Sequence, residues 1–344
     1  MRKQTIKGLA VGLVAVVGLA ACGSSSSSDT TVAAGAAGLA CEVTDTGGVD
    51  DKGFNQIAHE GLLQAETELG VTTDLLESTT DADYAPNLQS FVDKGCNVIV
   101  TVGFLLADAT KAAAEANPNV QFAIVDSNTS APNVQGLTFA TDQPSFLAGY
   151  MAAATTKTGI VGTFGGINIP PVAIFMQGFA KGVEYYNAQK GTSVKVLGWD
   201  IAKQDGTFSG DFQDQTKGTS IAKSMSDEGA DIIFPVAGPV GLGASQFAMD
   251  SAGKVKIIGV DVDMSISNPT QAEVYVASVL KKIDAAVLQA VKDALAKTGG
   301  GTDYLGTLEN GGVGVAITST ITPELQAELD AVTAGIIDGS IVTK

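Results

Sequence analysis

Along most of this chain, short unbroken apolar runs alternate with segments whose apolar residues recur at helical spacing. The first run, Cys41 to Thr44, predicts a strand that ends at Asp45, where Gly47 and Gly48 let the backbone turn sharply. Asp50 or Asp51 then caps a helix reaching Gly70, with Ile57, Ala58, Gly61, Leu62, Ala65 and Leu69 along one side. Val71 to Glu77 predicts a strand, Ala85 to Lys94 a helix, and Val98 to Val102 a strand covered on both faces. A helix opening at Gly103-Phe104 stops at Asn117-Pro118. The strand Val120 to Val125 again delivers an acid, Asp126, at its carboxyl end.

The pattern restarts at Pro144, which begins a helix through Ala154. Gly159 to Phe164, Val194 to Trp199, Asp231 to Val236 and Lys256 to Val260 predict strands, the last followed by Asp261. Helices fall between them: one from Pro170-Pro171 to Ala188, one ending at Gly229, and one from Gly241 to Ser251. A polar loop carries Phe208 and Phe212. Farther on, Ala277 to Leu295 reads as one helix, Gly311 to Ile317 as a strand, and Thr322-Pro323 as the start of a final helix ending before Gly339. The fold class is α/β, with two doubly wound, Rossmann-like lobes joined by about three crossovers. This resembles the plan of type I periplasmic binding proteins, whose cleft closes by hinge motion. The expected division is lobe 1 at 40–143, completed by about 270–308, and lobe 2 at 144–265, completed by about 312–344.

Composition sets bounds on this picture. The 344 residues suit about two domains, and 45% apolar with 17% charged residues describe a globular chain. A net charge of −17 argues against nucleic acid as a partner. Arg2, Lys3 and Lys7 precede an apolar run, Leu9 to Ala21, too short for a comfortable membrane span. That run closes on Leu-Ala-Ala-Cys22, which resembles a bacterial lipobox, so residues 1–21 are expected to be a signal peptide and Cys22 the lipidated first residue. Removing the leader's three basic groups takes the charge to −20. Residues 22–39, opening with a serine run, read as a flexible tether. Cys41 and Cys96 remain, each near the start of a predicted strand. In a sheet of order 2-1-3 they are neighbours and form a disulfide; the alternative is two buried thiols.

The sequence is poor in catalytic chemistry. Its one histidine, His59, falls inside the first helix, so neither a Cys/His metal site nor a Ser-His-Asp triad assembles. No cofactor or metal is implied, and the reading is of a binding protein, not an enzyme; paired carboxylates working as a glycosidase are the main rival. Strand ends instead supply Asp45, Asp126, Phe234 and Asp261, and the first helix turn supplies Phe54 and Asn55. Aromatic rings from opposite lobes suit a planar base, and carboxylates suit base N–H groups or a sugar diol. Phe234 equally fits a core position, and Lys281 on a helix would be a solvated charge.

The stretch Asp45-Thr-Gly-Gly-Val-Asp-Asp-Lys-Gly-Phe-Asn55 resembles the signature of the basic membrane protein family, lipoproteins that bind purine nucleosides for ABC importers. Similar matches are Ile124-Val-Asp126, Gln143-Pro-Ser-Phe-Leu-Ala-Gly149, Phe164-Gly-Gly-Ile-Asn-Ile-Pro170, Gly229 to Gly238, Ile258 to Asp263 and Ser278-Val-Leu-Lys281. The resemblance implies that Phe54 and Phe234 enclose the base, that Asp45, Asn55 and Asp126 read its edge, and that Asp261 and Lys281 hold the ribose. Gly238 joins this set, although Pro239 stands where the family often has a second glycine, and Met264 where a glutamine is common. The resemblance further implies a monomer, anchored to the extracytoplasmic face of the cell membrane, that delivers its ligand to an ABC permease. A surface lipoprotein with an adhesion or sensing role, or a receptor for another small ligand such as a sugar, is the alternative.

Overall fold

The computed structural model describes residues 38–344. The expected leader, Cys22 and nearly all of the tether lie outside the described residues. Two six-stranded sheets carry the architecture, and each is built by the same βα logic.

The first sheet contains β1 (Leu39–Thr46), β2 (Thr72–Ser78), β3 (Val98–Val102), β4 (Gln121–Val125) and β5 (Val134–Phe139), in the order β2-β1-β3-β4-β5, all parallel. Strand β3 is buried along its whole length, which is why it reads Val-Ile-Val-Thr-Val without a polar face. Helices α1 (Phe54–Leu69), α2 (Tyr84–Lys94) and α3 (Ala107–Ala116) connect the strands. Apolar residues of α2 and α3 cover one side, around Leu88, Phe91 and Ala114. The order β2-β1-β3 is the one the cysteine positions require, and Cys41 and Cys96 are disulfide-bonded with Cα atoms 6.1 Å apart. Cys41 is the third residue of β1 and Cys96 lies just before β3, so the bridge ties the amino ends of neighbouring strands. His59, on α1, sits 3.7 Å from the buried Glu42 of β1 and takes no part in the site below.

The second sheet is entered through α4 (Asp142–Thr155). This half runs through β6 (Ile160–Gly165), α5 (Pro170–Lys190), β7 (Lys195–Leu197), a separate antiparallel pair of two-residue strands, β8 (Trp199–Asp200) and β9 (Asp205–Gly206), then α6 (Gln215–Asp227), β10 (Ile232–Val236), α7 (Pro239–Asp250), β11 (Lys256–Asp261), α8 (Met264–Ser267) and β12 (Tyr275–Lys281). The strand order is β7-β6-β10-β11-β12. Helices α4 and α5 touch backbone to backbone: a Cβ at Gly182 would lie 2.0 Å from the Phe146 carbonyl oxygen.

One expectation is corrected here. The helix read from Ala277 to Leu295 is instead β12 followed by α9 (Ile283–Ala296). Residues 277–281 pair in parallel with β11 and antiparallel with β14 (Val313–Ile317), and neighbours on both sides satisfy the backbone as a strand. The β-branched Val276 and Val279 suit that setting. From β12 the chain crosses to α9, whose Ile283, Ala286, Val287 and Ala290 pack with Ile57, Ala58 and Leu62 of α1. It then adds β13 (Asp303–Gly306) beside β5, returns to β14, and ends in α10 (Pro323–Ile337), where Thr322 accepts from the Leu325 N–H as the expected cap. The chain thus passes between the sheets three times: after β5, after β12 and after β13. This is the type I periplasmic-binding-protein fold.

Candidate functional site

The carboxyl ends of both sheets border one cleft, where α/β sheets of this kind place their ligands. The first lobe lines it with Asp45 and Thr46 from the end of β1, Asp51, Phe54 and Asn55 from the turn into α1, Gly103 to Leu105, and Asp126 beyond β4. The second lobe supplies Ile169, Pro171, Val172 and Phe175 from the start of α5, Phe212, the Val236 to Pro239 turn, Val260 and Asp261, and Lys281.

The turn into α1 is held by Asp51. Its carboxylate accepts from the Gly53, Asn55 and Gln56 N–H groups at 2.9, 2.9 and 3.1 Å, satisfying amides that the first helical turn leaves open. Of the two acids expected as caps, Asp51 does this work, although Gly53 occupies the cap position. The turn presents Phe54 and Asn55 to the cleft. Asn55 Nδ2 donates to Asp45 Oδ1 at 3.0 Å, which leaves Asn55 Oδ1 buried without a partner among the described residues. Burial pushes the Asp45 carboxyl up to about 8; the Asn55 bond opposes the shift and the nearby Asp51 and Asp126 add to it. This edge is short of donors.

Lys281 reaches the centre of the cleft from the end of β12. It is 2% exposed, its Nζ donates to Asp126 Oδ2 at 2.5 Å, and it stands 4.7, 5.3 and 5.7 Å from the ring centres of Phe54, Phe139 and Phe175. Asp126 and Asp261 both adopt the left-handed backbone, each with φ of 67°. Asp261 is buried, and neither of its oxygens has a hydrogen-bond partner among the described residues. Burial pushes it up to about 7, opposed by Lys281 and reinforced by Asp126. Among the described residues lining the cleft, Lys281 is the single cation against Asp45, Asp51, Asp126 and Asp261.

Seven of the eight candidate ligand residues therefore meet here: Asp45, Phe54, Asn55, Asp126, Gly238, Asp261 and Lys281. Phe234 does not. It is 0% exposed inside β10, its ring packed 5.2 Å from Phe179 and 6.3 Å from Phe175. The strand continues past it, so Val236, two residues on, forms the wall and Phe234 supports it from behind. The second-lobe rings that reach the cleft are Phe175 and Phe212. A signal for Phe175 existed: α5 follows β6 as α1 follows β1, so the start of α5 should face the cleft as Phe54 does. Gly238, with φ of 51°, makes the turn into α7, and Pro239 stands at the first helical position, where a missing N–H leaves no bond unmade.

Across the cleft, the Ser267 hydroxyl donates to the carbonyl of Lys52, joining α8 to the turn before α1. Two Rossmann-like lobes closed on a buried polar and aromatic chamber define a solute-binding protein. Residues 39–344 match the family described as ABC transporter substrate-binding protein PnrA-like, and the chain belongs to that family. It is 33% identical to the ABC transporter nucleoside-binding protein BmpA of Lactococcus lactis subsp. cremoris, over 99% of each chain. It is 32% identical to basic membrane protein A1 of Borrelia garinii subsp. bavariensis, over 86% of this chain and 85% of that one. Among solved structures, an ABC transporter solute-binding protein of Aeropyrum pernix K1 superposes with a TM-score of 0.77 at 26% identity, covering 89% of this chain and 93% of that one.

Proposed function

We propose that the protein captures a purine nucleoside in this cleft and delivers it to an ABC permease, working as a monomer tethered through a lipidated Cys22 on the outer face of the cell membrane. The observation that carries the ligand is the donor-poor edge: the buried Asn55 Oδ1 lacks a partner, and Asp45 beside it needs one to ionise. A base presenting N–H groups meets both. Phe54 on one side and Phe175 on the other give the base apolar faces, with stacking worth about 1–3 kcal/mol per ring by analogy with nucleic-acid binders. Asp261 accepts from the ribose hydroxyls with Lys281 nearby, and Asp126 holds Lys281 in place while facing the same chamber. Four carboxylates against one lysine favour a neutral ligand over a nucleotide.

The relatives' names, one a nucleoside-binding protein and one a basic membrane protein, support the same reading. A disulfide between Cys41 and Cys96 supports an oxidising compartment. Mass spectrometry of ligand released by denaturing purified protein should find an unmodified nucleoside. Calorimetric titration with guanosine, inosine and adenosine should show binding, and binding of none of them would refute the reading. For attachment, Cys22→Ser should move the protein to the soluble fraction; retention on salt-washed membranes would refute the anchor.

A further inference from the structure

Beside Asp261 lies a second, smaller compartment, lined mostly by the second lobe together with Asp51 and Gly53 of the first. Asp51, Gly238, Val260 and Asp261 border both spaces, so the Asp261 carboxylate stands at the boundary between them. Leu242, Ile257 and Met264 make the compartment apolar, and Gly241 and Gly259 leave room by having no side chain. At its far end the Ser245 and Tyr275 hydroxyls are 2.7 Å apart, and Ser245 Oγ also donates to the Gly241 carbonyl at 3.1 Å. Both hydroxyls are thus already engaged, with each other and with the backbone. The charged groups at the rim, Asp51 and Asp261, are both acidic.

We propose that this compartment is a substituent subsite, admitting a small uncharged group carried on the 5′ carbon of a nucleoside, such as an alkylthio group, and rejecting a 5′ phosphate. The inference rests on the reading of the main chamber as a nucleoside site with the sugar at Asp261. With the 2′ and 3′ hydroxyls donating to that carboxylate, the 5′ carbon is the position from which a substituent can pass it. Burying a methylthio group among Leu242, Ile257 and Met264 gains affinity, whereas a phosphate would meet the acids Asp51 and Asp261 with no cation lining the compartment among the described residues.

The test is calorimetric titration of the purified protein with adenosine and inosine, their 5′-deoxy-5′-methylthio analogues, and their 5′-monophosphates. The methylthio analogue should bind at least as tightly as its parent and up to about tenfold tighter. The monophosphate should bind about a hundredfold more weakly or worse. A Cβ at position 241 would meet the Pro235 ring at 3.5 Å, an ordinary contact, so Gly241→Ala is tolerated and Gly241→Val extends into the compartment. Gly241→Val should weaken the methylthio analogue about tenfold and leave the parent within about threefold, since residue 241 does not border the main chamber. If Gly241→Val does not fold, the wild-type comparison and Gly241→Ala decide. A parent that binds while its methylthio analogue is excluded overturns the subsite and leaves the nucleoside reading standing. Equal loss of both ligands in Gly241→Val overturns its location, and no binding by any of the six overturns both readings.

Discussion

The two lobes share a strand order but present opposite chemistry to the cleft. Counted from the β2 edge of one sheet and the β7 edge of the other, the fourth strand in each is β4 and β11. An aspartate stands at the carboxyl end of each, Asp126 just past β4 and Asp261 closing β11, with the same left-handed φ of 67°. That conformation costs an ordinary side chain energy but suits Asp and Asn, so the repeated fold repeats the device. Their surroundings then diverge. Asp126 is paired with Lys281, which arrives from the other lobe, while the buried Asp261 has no side-chain hydrogen bond among the described residues. The first lobe adds Asp45, Asp51 and Asn55, and the second adds Ile169, Val172, Phe175, Val236 and Val260. One lobe is built to accept hydrogen bonds and the other mainly to cover an apolar face, so a ligand must satisfy both at once.

Removing Lys281 should break the comparison most severely. Lys281→Met strands the Asp126 carboxylate in a buried site and should destabilise the protein by about 3–5 kcal/mol in urea unfolding. Adding Asp126→Leu should restore most of the loss. Asp261→Asn should instead leave the unliganded protein as stable as wild type or more so at pH 8, because a carboxylate that burial disfavours is gone. Matching losses in Lys281→Met and Asp261→Asn would show the two aspartates to be equivalent after all.

The aromatic positions sharpen the same contrast. Phe54→Ala and Phe175→Ala should each weaken nucleoside binding by about 1–3 kcal/mol in calorimetric titration. Phe234→Leu, which changes the support behind the wall, should cost stability and shift affinity by less than about threefold.

A pH series reads both lobes together. The folded protein keeps Asp45 and Asp261 protonated up to about 8 and about 7, whereas the unfolded chain releases those protons near about pH 4. The folded state therefore holds more protons between about pH 4 and 8, and stability of the unliganded protein should fall as pH rises through that window. Ligand N–H and O–H groups favour the ionised forms, so binding near pH 7 should release protons and its heat should vary with the ionisation enthalpy of the buffer. Identical heats in phosphate and Tris would contradict this. The smallest effect belongs to the contact between lobes: Ser267→Ala should raise Kd by about two- to tenfold, seen as faster ligand release in stopped flow.

Most strands were legible because strands buried on both faces must be apolar throughout, and α1 because one side of it packs on a sheet; β5, interrupted by Gln135 and Gly136, and the four-residue edge strand β13 were not. β12 was read as helix, since Val279, Ile283, Ala286, Val287 and Ala290 fall at helical spacing, and only pairing with β11 and β14 decides between the two. With it went the setting of Lys281: a lysine read as a solvated charge is buried against an acid 155 residues earlier in the chain, a contact no local pattern carries. Strand-end acids and the Asp45 to Asn55 turn were readable from position alone. Phe234 misled because it lies two residues short of the strand's end, on the same face as Val236 but deeper, and Phe175 sits within an apolar helix where only the correspondence of α5 to α1 could have marked it.

The division of labour between lobes is tested most directly by titrating guanosine, deoxyguanosine and guanine into wild type, Asn55→Ala and Asp261→Asn, with the inosine and adenosine series as alternates. In wild type the deoxy form should bind about ten- to a hundredfold more weakly than the ribo form, and the free base more weakly still. Asp261→Asn should shrink the ribose preference, while Asn55→Ala should weaken ribo and deoxy forms alike. Equal affinity for ribo and deoxy forms in wild type, or loss of the ribose preference in Asn55→Ala with its retention in Asp261→Asn, would contradict the account.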